Sequence, residues 1–194
     1  MVVGGPPASG KTTLVAALAP RIGLAVLAKD TIKEALMDAL PPADIDDSRR
    51  LGGASMEVLF ALAAASPGAI LEANWWASVA GPRIAVLPGS IVEVFCQCDP
   101  QLAYQRYRDR ASDRHPGHFD SIRDPSALYT EEACKPIDGG WPVIEVDTAS
   151  PVDLDALVEQ IVSALESAVG PGRGSDGEGA ALPVWRTPSV DNRN

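Results

Sequence analysis

Short apolar runs alternate with longer amphipathic stretches along the first 169 residues. The apolar runs are almost continuously hydrophobic, which is typical of parallel strands that helices cover on both faces. The predicted strands are residues 1–3, 24–28, 69–73, 91–96 and 143–146. The predicted helices are residues 11–18, 31–40, 48–65, 100–114 and 152–169. This alternation predicts an α/β fold of three layers built on a five-stranded parallel sheet.

The composition changes at residue 170. Residues 170–194 are rich in Gly, Pro, Ser and charged residues and show neither helical nor strand periodicity. We therefore predict one domain, residues 1–169, followed by a flexible tail, residues 170–194. The first strand is only three residues long before a glycine-rich loop, so either it is a short strand or the natural chain starts further upstream.

Composition and charge exclude several classes of protein. Hydrophobic residues make up 46% of the 194 and charged residues 22%, which excludes wholesale disorder. The formal net charge of −10 argues against sequence-independent binding of nucleic acid. Because no apolar run reaches the ~18 residues of a membrane span and the N-terminus lacks the pattern of a signal peptide, we expect a cytoplasmic protein without membrane contact.

The strongest motif is GPPASGKT at residues 5–12, a G-x-x-x-x-G-K-[ST] phosphate loop. Its glycines allow several backbone N–H groups to point at a polyphosphate, and the helix that follows adds the positive end of its dipole. We expect Lys11 to contact the β and γ phosphates and Thr12 to ligate Mg²⁺. The predicted nucleotide contacts are Gly5, Pro6, Pro7, Ala8, Ser9, Gly10, Lys11, Thr12 and Thr13.

The string VVGGPPASGKTT, the pair Lys29-Asp30 after the second strand and a late arginine-rich segment give the chain a family likeness. It resembles the small P-loop kinases, and more narrowly chloramphenicol phosphotransferase, zeta-toxin-type kinases and the kinase domain of polynucleotide kinase. The resemblance implies that ATP is the donor, that Mg²⁺ assists, and that Asp30 is the base for an acceptor hydroxyl. From the residues alone, Asp30 also suits the N-cap of the helix that follows, and both roles are compatible.

A second group of candidates follows the third predicted strand. Glu72 is a possible second Mg²⁺ ligand, although the small P-loop kinases usually have Asp at such a position. Asn74, Trp75 and Trp76 come next, and two adjacent tryptophans cannot both face the core of one strand. We therefore predict that Asp30, Asn74, Trp75 and Trp76 bind the substrate, with plain packing of the tryptophans as the alternative.

Basic residues recur late in the chain. Arg106, Arg110 and Arg114 are spaced by four, which places them on one face of the predicted helix. The resemblance implies a lid at about residues 106–124, in which Arg110 and Arg114 stabilise the transferred phosphoryl group and Arg106 contacts the nucleotide. A solvated face paired with nearby aspartates is the alternative. The resemblance also implies that Thr148, after the last strand, contacts the base of the nucleotide.

These expectations favour a kinase that phosphorylates a hydroxyl of a small molecule. The acceptor would enter between Asp30, the rim at residues 74–76 and residues 38–50. In that last stretch Asp44, Asp46 and Asp47 could bind a cationic or polyhydroxyl molecule, such as an amino-sugar or another antibiotic. One alternative is a kinase of a nucleotide, nucleotide sugar or nucleic-acid 5′-hydroxyl, which would need a second basic pocket. Arg49, Arg50 and Arg83 are its candidates outside the lid. Another alternative is a nucleotide-dependent switch ATPase without a small acceptor.

Overall fold

A five-stranded sheet forms the centre of the molecule. The computed structural model describes residues 1–111, 113–120 and 128–169. Its strands are β1 (Val2–Gly4), β2 (Ala25–Ala28), β3 (Ala69–Glu72), β4 (Glu93–Gln97) and β5 (Val143–Asp147). They pair in the order β2-β3-β1-β4-β5, and every pair is parallel. The predicted parallel sheet is thereby confirmed, with strand ends that differ by one or two residues.

The described residues form six helices, of which the first five lie between strands and the sixth follows the last strand. They are α1 (Lys11–Ile22), α2 (Lys29–Ala39), α3 (Ile45–Ala65), α4 (Ala77–Ala85), α5 (Pro100–Asp109) and α6 (Leu154–Val169). A 3₁₀ turn, Pro116–His118, follows α5. None of these helices is both long enough and apolar enough to cross a bilayer. The predicted flexible tail lies outside the described residues.

Two helix predictions were wrong. Helix α4 was missed because its sequence holds Gly81 and Pro82, which disfavour helix interiors, yet it buries Ala80 and Ile84 against the sheet. The helix predicted for residues 100–114 ends at Asp109. Beyond it the backbone turns, and Arg114 then reaches carboxylates on other segments, a set of ion pairs that helical periodicity cannot anticipate.

The core has two halves, one on each face of the sheet. Adjacent residues of β1 show the division, because Val3 packs with α1 and α6 while Val2 packs with α3 and α4. Leu18 of α1 and Ile161 of α6 are buried in the first half, and Leu59 of α3 is buried in the second. This is the three-layer arrangement that places the carboxyl ends of all five strands at one edge of the sheet.

Candidate active site

The loop between β1 and α1 has the backbone of an anion-binding nest. Ala8 has φ 59° and Gly10 has φ 90°, so both lie in the left-handed region that turns successive N–H groups to one side. Gly5 has φ 139°, and a Cβ atom there would lie 2.6 Å from the Cys96 carbonyl oxygen. Only glycine therefore fits at the start of the loop.

Lys11 begins α1 and is almost fully buried. Its Nζ donates hydrogen bonds to the carbonyl oxygens of Gly5 (2.9 Å) and Pro6 (2.7 Å), so the ammonium lies against the loop. Burial lowers the pKa of Lys11 to about 8, and the acidic groups around it oppose that effect only in part. This buried cation lines the cavity described below, where water would screen its attraction to a phosphate only weakly.

Two further features of the loop suit a phosphate. The Ser9 Oγ atom is buried and has no hydrogen-bond partner among the described residues. The Thr148 hydroxyl lies 2.5 Å from the Ser9 carbonyl oxygen and 2.7 Å from that of Gln97, which ties the segment after β5 to the loop. An orphaned buried hydroxyl beside a nest of N–H groups is chemically matched to phosphate oxygens.

Thr12 and Glu72 meet at the end of β3. The Thr12 hydroxyl donates to Glu72 Oε1 at 2.7 Å, and the Glu72 residue is only 8% exposed. A hydroxyl and a carboxylate are the oxygen ligands that Mg²⁺ prefers. Within the described ranges no group of three or more His, Cys, Asp or Glu side chains could hold a metal ion. A Mg²⁺ ion here would therefore take its remaining ligands from phosphate and water.

Asp30 lies in the first turn of α2, whose N-cap is Ala28. The carboxylate of Asp30 is half-exposed and accepts from Lys29 Nζ at 3.1 Å and from the Arg114 guanidinium at 2.9 Å. Asp30 is therefore not the N-cap of α2. Burial alone would raise the pKa of Asp30, but the two neighbouring cations outweigh burial and hold it well below the usual range.

The three predicted arginines reach one cavity, although only Arg106 lies within α5. Arg110 is the C-cap of that helix and Arg114 lies beyond it. The Arg110 Nε atom is buried without a partner among the described residues, and its guanidinium lies 5.9 Å from the centre of the Tyr107 ring. Arg106 approaches the Cys98 sulfur at 3.6 Å. Arg110 thus presents a partly buried guanidinium to the cavity.

The cavity has a volume of about 570 Å³, in the range of small-molecule sites. It brings together Lys11, Thr12, Asp30, Glu72, Arg110 and Arg114. Basic side chains outnumber acidic ones in its described lining, although the whole chain has a formal net charge of −10. This local excess of positive charge suits a polyphosphate.

Part of the predicted substrate rim was wrong. Asn74 lines the cavity together with Asp30, but the two tryptophans do not. Trp75 is buried, donates from Nε1 to the Val3 carbonyl oxygen at 2.9 Å, and packs 6.1 Å from Phe60 between ring centres. Trp76 is 39% exposed. Because β3 ends at Glu72, residues 73–76 are no longer part of the strand, and Trp75 packs in the core half that contains Val2 and Leu59.

The acidic segment before α3 does not reach the cavity either. Asp44 is the N-cap of α3 and accepts from the N–H groups of Asp46 and Asp47. These last two also form ion pairs with arginines one turn further along the helix. The expectation that this segment binds a cationic acceptor gains no support from the structure, because its carboxylates are engaged in local capping and pairing.

The second basic pocket that a phosphate-bearing acceptor would need is not assembled from its candidates. Arg49 and Arg50 take part in the ion pairs on α3, at 2.8 and 2.9 Å from Asp46 and Asp47. Arg83 forms a two-point pair with Glu57 and lies over the Phe60 ring. None of the three arginines lines the cavity.

Lys33 and Tyr129 are among the residues at the cavity that sequence reasoning missed. Lys33 is buried and lines the cavity, and its Nζ donates to Ser48 Oγ at 3.0 Å. Its place one turn after Asp30 on the same helix was the signal available for it. Tyr129 donates to the Pro7 carbonyl oxygen at 3.0 Å, and burial raises its pKa to about 12. No sequence pattern pointed to that contact.

Comparisons with known proteins agree with this geometry. A family model described as an AAA domain (AAA_33) matches residues 1–124. A solved structure from Chloroflexus aurantiacus, described as a candidate kinase, is 30% identical, with a TM-score of 0.76 over 84% of this chain and 96% of that one. The chain belongs to the AAA_33 family of AAA domains.

Other solved structures share the fold of this AAA domain at lower identity. A gluconokinase from Sinorhizobium meliloti is 21% identical, with a TM-score of 0.51 over 86% of this chain and 90% of that one. A shikimate kinase from Acinetobacter baumannii, in complex with shikimate, is 21% identical, with a TM-score of 0.52 over 86% and 92%. A search of curated proteins found no match. The narrower likeness to chloramphenicol phosphotransferase and zeta-toxin-type kinases stays a prediction.

Proposed function

We propose that this AAA domain is an ATP-dependent, Mg²⁺-assisted phosphotransferase whose acceptor is a hydroxyl of a small molecule. The observation that carries the proposal is that one cavity holds the phosphate-loop Lys11 and the ionised carboxylate of Asp30. A nucleotide switch would need the first of these groups. A carboxylate facing the phosphate loop from the next strand end is the further requirement of a kinase with a hydroxyl acceptor.

The donor end of the cavity would be formed by the loop from Gly5 to Thr13. Its N–H groups and the buried Lys11 ammonium would bind the phosphates, while Thr12 and Glu72 would hold Mg²⁺. When bound, ATP supplies the phosphoryl group and Mg²⁺ offsets the charge of its phosphates. Arg106 and Arg110 approach the same space from α5, and Thr148 borders it after β5. These residues would bind and orient the donor.

Asp30 would accept a hydrogen bond from the acceptor hydroxyl. Because its pKa is held so low, it stays ionised at physiological pH and is a weak proton acceptor. Its contribution is then mainly to orient the hydroxyl toward the phosphorus, which suits a loose transition state in which the proton leaves late. Arg110, whose Nε atom is buried without a partner among the described residues, would stabilise the charge of the transferred group.

The cavity favours a small polar acceptor. On the side of α2 and the end of β3 it presents charged and amide groups, among them Lys33, Asp30 and Asn74, and neither Trp75 nor Trp76 lines it. For an antibiotic acceptor, the acidic segment gives no support, and the resemblance to chloramphenicol phosphotransferase is the ground that is left. A nucleotide acceptor loses support too, since Arg49, Arg50 and Arg83 are paired elsewhere.

The test is ADP formation with Mg²⁺ and ATP across a panel of hydroxyl-bearing molecules. The panel contains sugars, polyols, hydroxy acids, nucleosides, aminoglycosides and a 5′-hydroxyl oligonucleotide. One acceptor should raise turnover and gain the mass of one phosphoryl group. Lys11→Met should abolish the reaction, whereas Lys135→Met, which alters an exposed lysine paired with Glu131, should not. Slow hydrolysis that no acceptor stimulates, with nucleotide-dependent association, would instead favour the switch ATPase.

A further inference from the structure

Arg114 is held on three sides. Its NH1 atom donates to Asp120 Oδ2 at 2.7 Å, and its NH2 atom donates to Asp30 Oδ2 at 2.9 Å. The same NH2 atom lies 3.1 and 3.3 Å from the two ring nitrogens of His118. The Arg114 side chain is only 17% exposed. Its position beside Asp30 thus depends on two groups outside the phosphate loop.

Both of those groups are themselves buried and held by other residues. The side chains of Asp120 and His118 are 3% and 4% exposed. Asp120 also accepts from the Tyr107 hydroxyl at 2.7 Å, which links it to α5. His118 Nε2 lies 2.9 Å from Glu34 Oε1 on α2. A carboxylate in that position favours the tautomer with hydrogen on Nε2, so that Nδ1 can accept from Arg114.

We propose that neutral His118, oriented by Glu34, is a positioning residue that holds Arg114 toward Asp30, and that protonation of His118 sets the acid limit of phosphotransfer. The kinetic half of this inference rests on the proposed function. The structural half, the coupling between His118 and Arg114, does not depend on any substrate. The two halves can therefore fail separately.

The charges around His118 explain why its protonation would matter. Burial and the Arg114 charge lower the pKa of His118 below its usual value, with Lys33 of α2 acting in the same sense. Glu34 and Asp30 act in the opposite sense. The His115 ring also faces His118, with the two ring centres 6.4 Å apart. Helix α3 packs against the 3₁₀ turn, and its neutral Ser48 accepts a hydrogen bond from Lys33.

A second positive charge at His118 would repel the Arg114 guanidinium and weaken its bond to Asp30. It would also remove the ring nitrogen that accepts from Arg114. Asp30 is not the expected source of the acid limit, because the cations beside it hold the pKa of its carboxyl well below the usual range. A loss of activity at acid pH that disappears in His118→Gln would therefore report His118.

The first test is an NMR titration of the two histidines in the free protein. His118→Gln and His115→Gln assign the two imidazole signals, and His115 is the control because it pairs with Asp38 outside the cavity. The His118 midpoint should lie below that of a model histidine. It should rise in Arg114→Gln and fall in Glu34→Gln. A His118 midpoint that Arg114→Gln leaves unchanged would overturn the inference.

The second test is the pH profile of kcat and of KM for ATP with the acceptor found above. In the wild type and in His115→Gln, kcat should fall about tenfold for each pH unit below the midpoint. His118→Gln should lose this acid limb while its KM for ATP stays within about twofold, because the residue does not touch the phosphate loop. If His118→Gln keeps the acid limb, the inference is wrong.

Glu34→Gln is a second variant, in which the buried His118 itself is not replaced. The change is at a side chain that is 40% exposed, so we expect the protein to fold. The substitution should move the acid limb to lower pH by the same amount as it moves the His118 midpoint. An acid limb that stays fixed while the midpoint shifts would overturn the inference. If no acceptor stimulates turnover, the proposed function fails, and the titration alone decides the coupling.

Discussion

Thr12 and Glu72 are joined by a hydrogen bond of 2.7 Å although sixty positions separate them in the sequence. The phosphate loop fixes Thr12 at the start of α1, and the parallel pairing of β1 with β3 brings the end of β3 to the same edge of the sheet. The two oxygen ligands predicted for Mg²⁺ thus lie together.

Glu72→Gln should raise the Mg²⁺ concentration needed for half-maximal activity by about tenfold or more, because an amide is a poorer ligand and a poorer acceptor than a carboxylate. A Mg²⁺ titration of ATP turnover measures this. Glu131→Gln, which alters an exposed carboxylate paired with Lys135, is the matched control. Equal Mg²⁺ dependence in both variants would remove Glu72 from the metal site.

Lys11 predicts an alkaline loss of nucleotide affinity. Its pKa of about 8 means that the ammonium loses its proton at a pH where an ordinary lysine keeps it. Affinity for ATP should therefore fall roughly tenfold between pH 7 and pH 9 as the charged form is depleted. Titration calorimetry at the two pH values measures the change, and Lys11→Met should abolish it. Affinity that is constant across this range would contradict the account.

Glu93 is a buried carboxylate whose role is structural. It accepts from the backbone N–H groups of Ile137 (2.7 Å) and Asp138 (3.1 Å) and from Trp141 Nε1 (3.0 Å), which ties the segment before β5 to the start of β4. Glu93→Ala would leave these donors without partners. We expect it to lower the free energy of unfolding by about 3 kcal/mol.

Urea denaturation measures that change. The control is Glu57→Gln, which removes an exposed partner of Arg83 and should shift the midpoint only slightly. If Glu93→Ala unfolds at the same urea concentration as the wild type, the three hydrogen bonds contribute little to the fold.

The adjacent tryptophans should behave differently. Trp75→Phe removes the buried hydrogen bond to the Val3 carbonyl oxygen and should cost about 1–2 kcal/mol of stability. Trp76→Phe changes a partly exposed ring and should cost less than about 0.5 kcal/mol. Neither should alter KM for the acceptor, because neither residue lines the cavity. A raised KM in either variant would restore the tryptophan rim as a binding element.

The parts of the fold that the sequence predicts are those with a local signal. Apolar runs located all five strands, and the motif at residues 5–12 located the phosphate loop, because both depend on residues that are neighbours in the chain. Helix α4 was not predicted because Gly81 and Pro82 lower its helix propensity. Burial of Ala80 and Ile84 against the sheet stabilises it instead.

The candidate site divides in the same way. Lys11 and Thr12 follow from the motif and Asp30 from its place at a strand end. The burial of Trp75 depends on where the chain turns after β3. The ion pairs of Asp46 and Asp47 depend on where α3 begins. The hold of Asp120 and His118 on Arg114 joins segments that no periodicity connects.

The proposed phosphotransfer requires that Asp30 orients a hydroxyl acceptor toward ATP. The decisive measurement is acceptor-dependent turnover of Asp30→Asn beside Asp38→Asn, a matched change on the same helix at a residue outside the cavity. We predict that kcat falls by about a hundredfold or more in Asp30→Asn, while ATP affinity changes little and Asp38→Asn behaves as the wild type. Full acceptor-dependent turnover in Asp30→Asn would contradict the account.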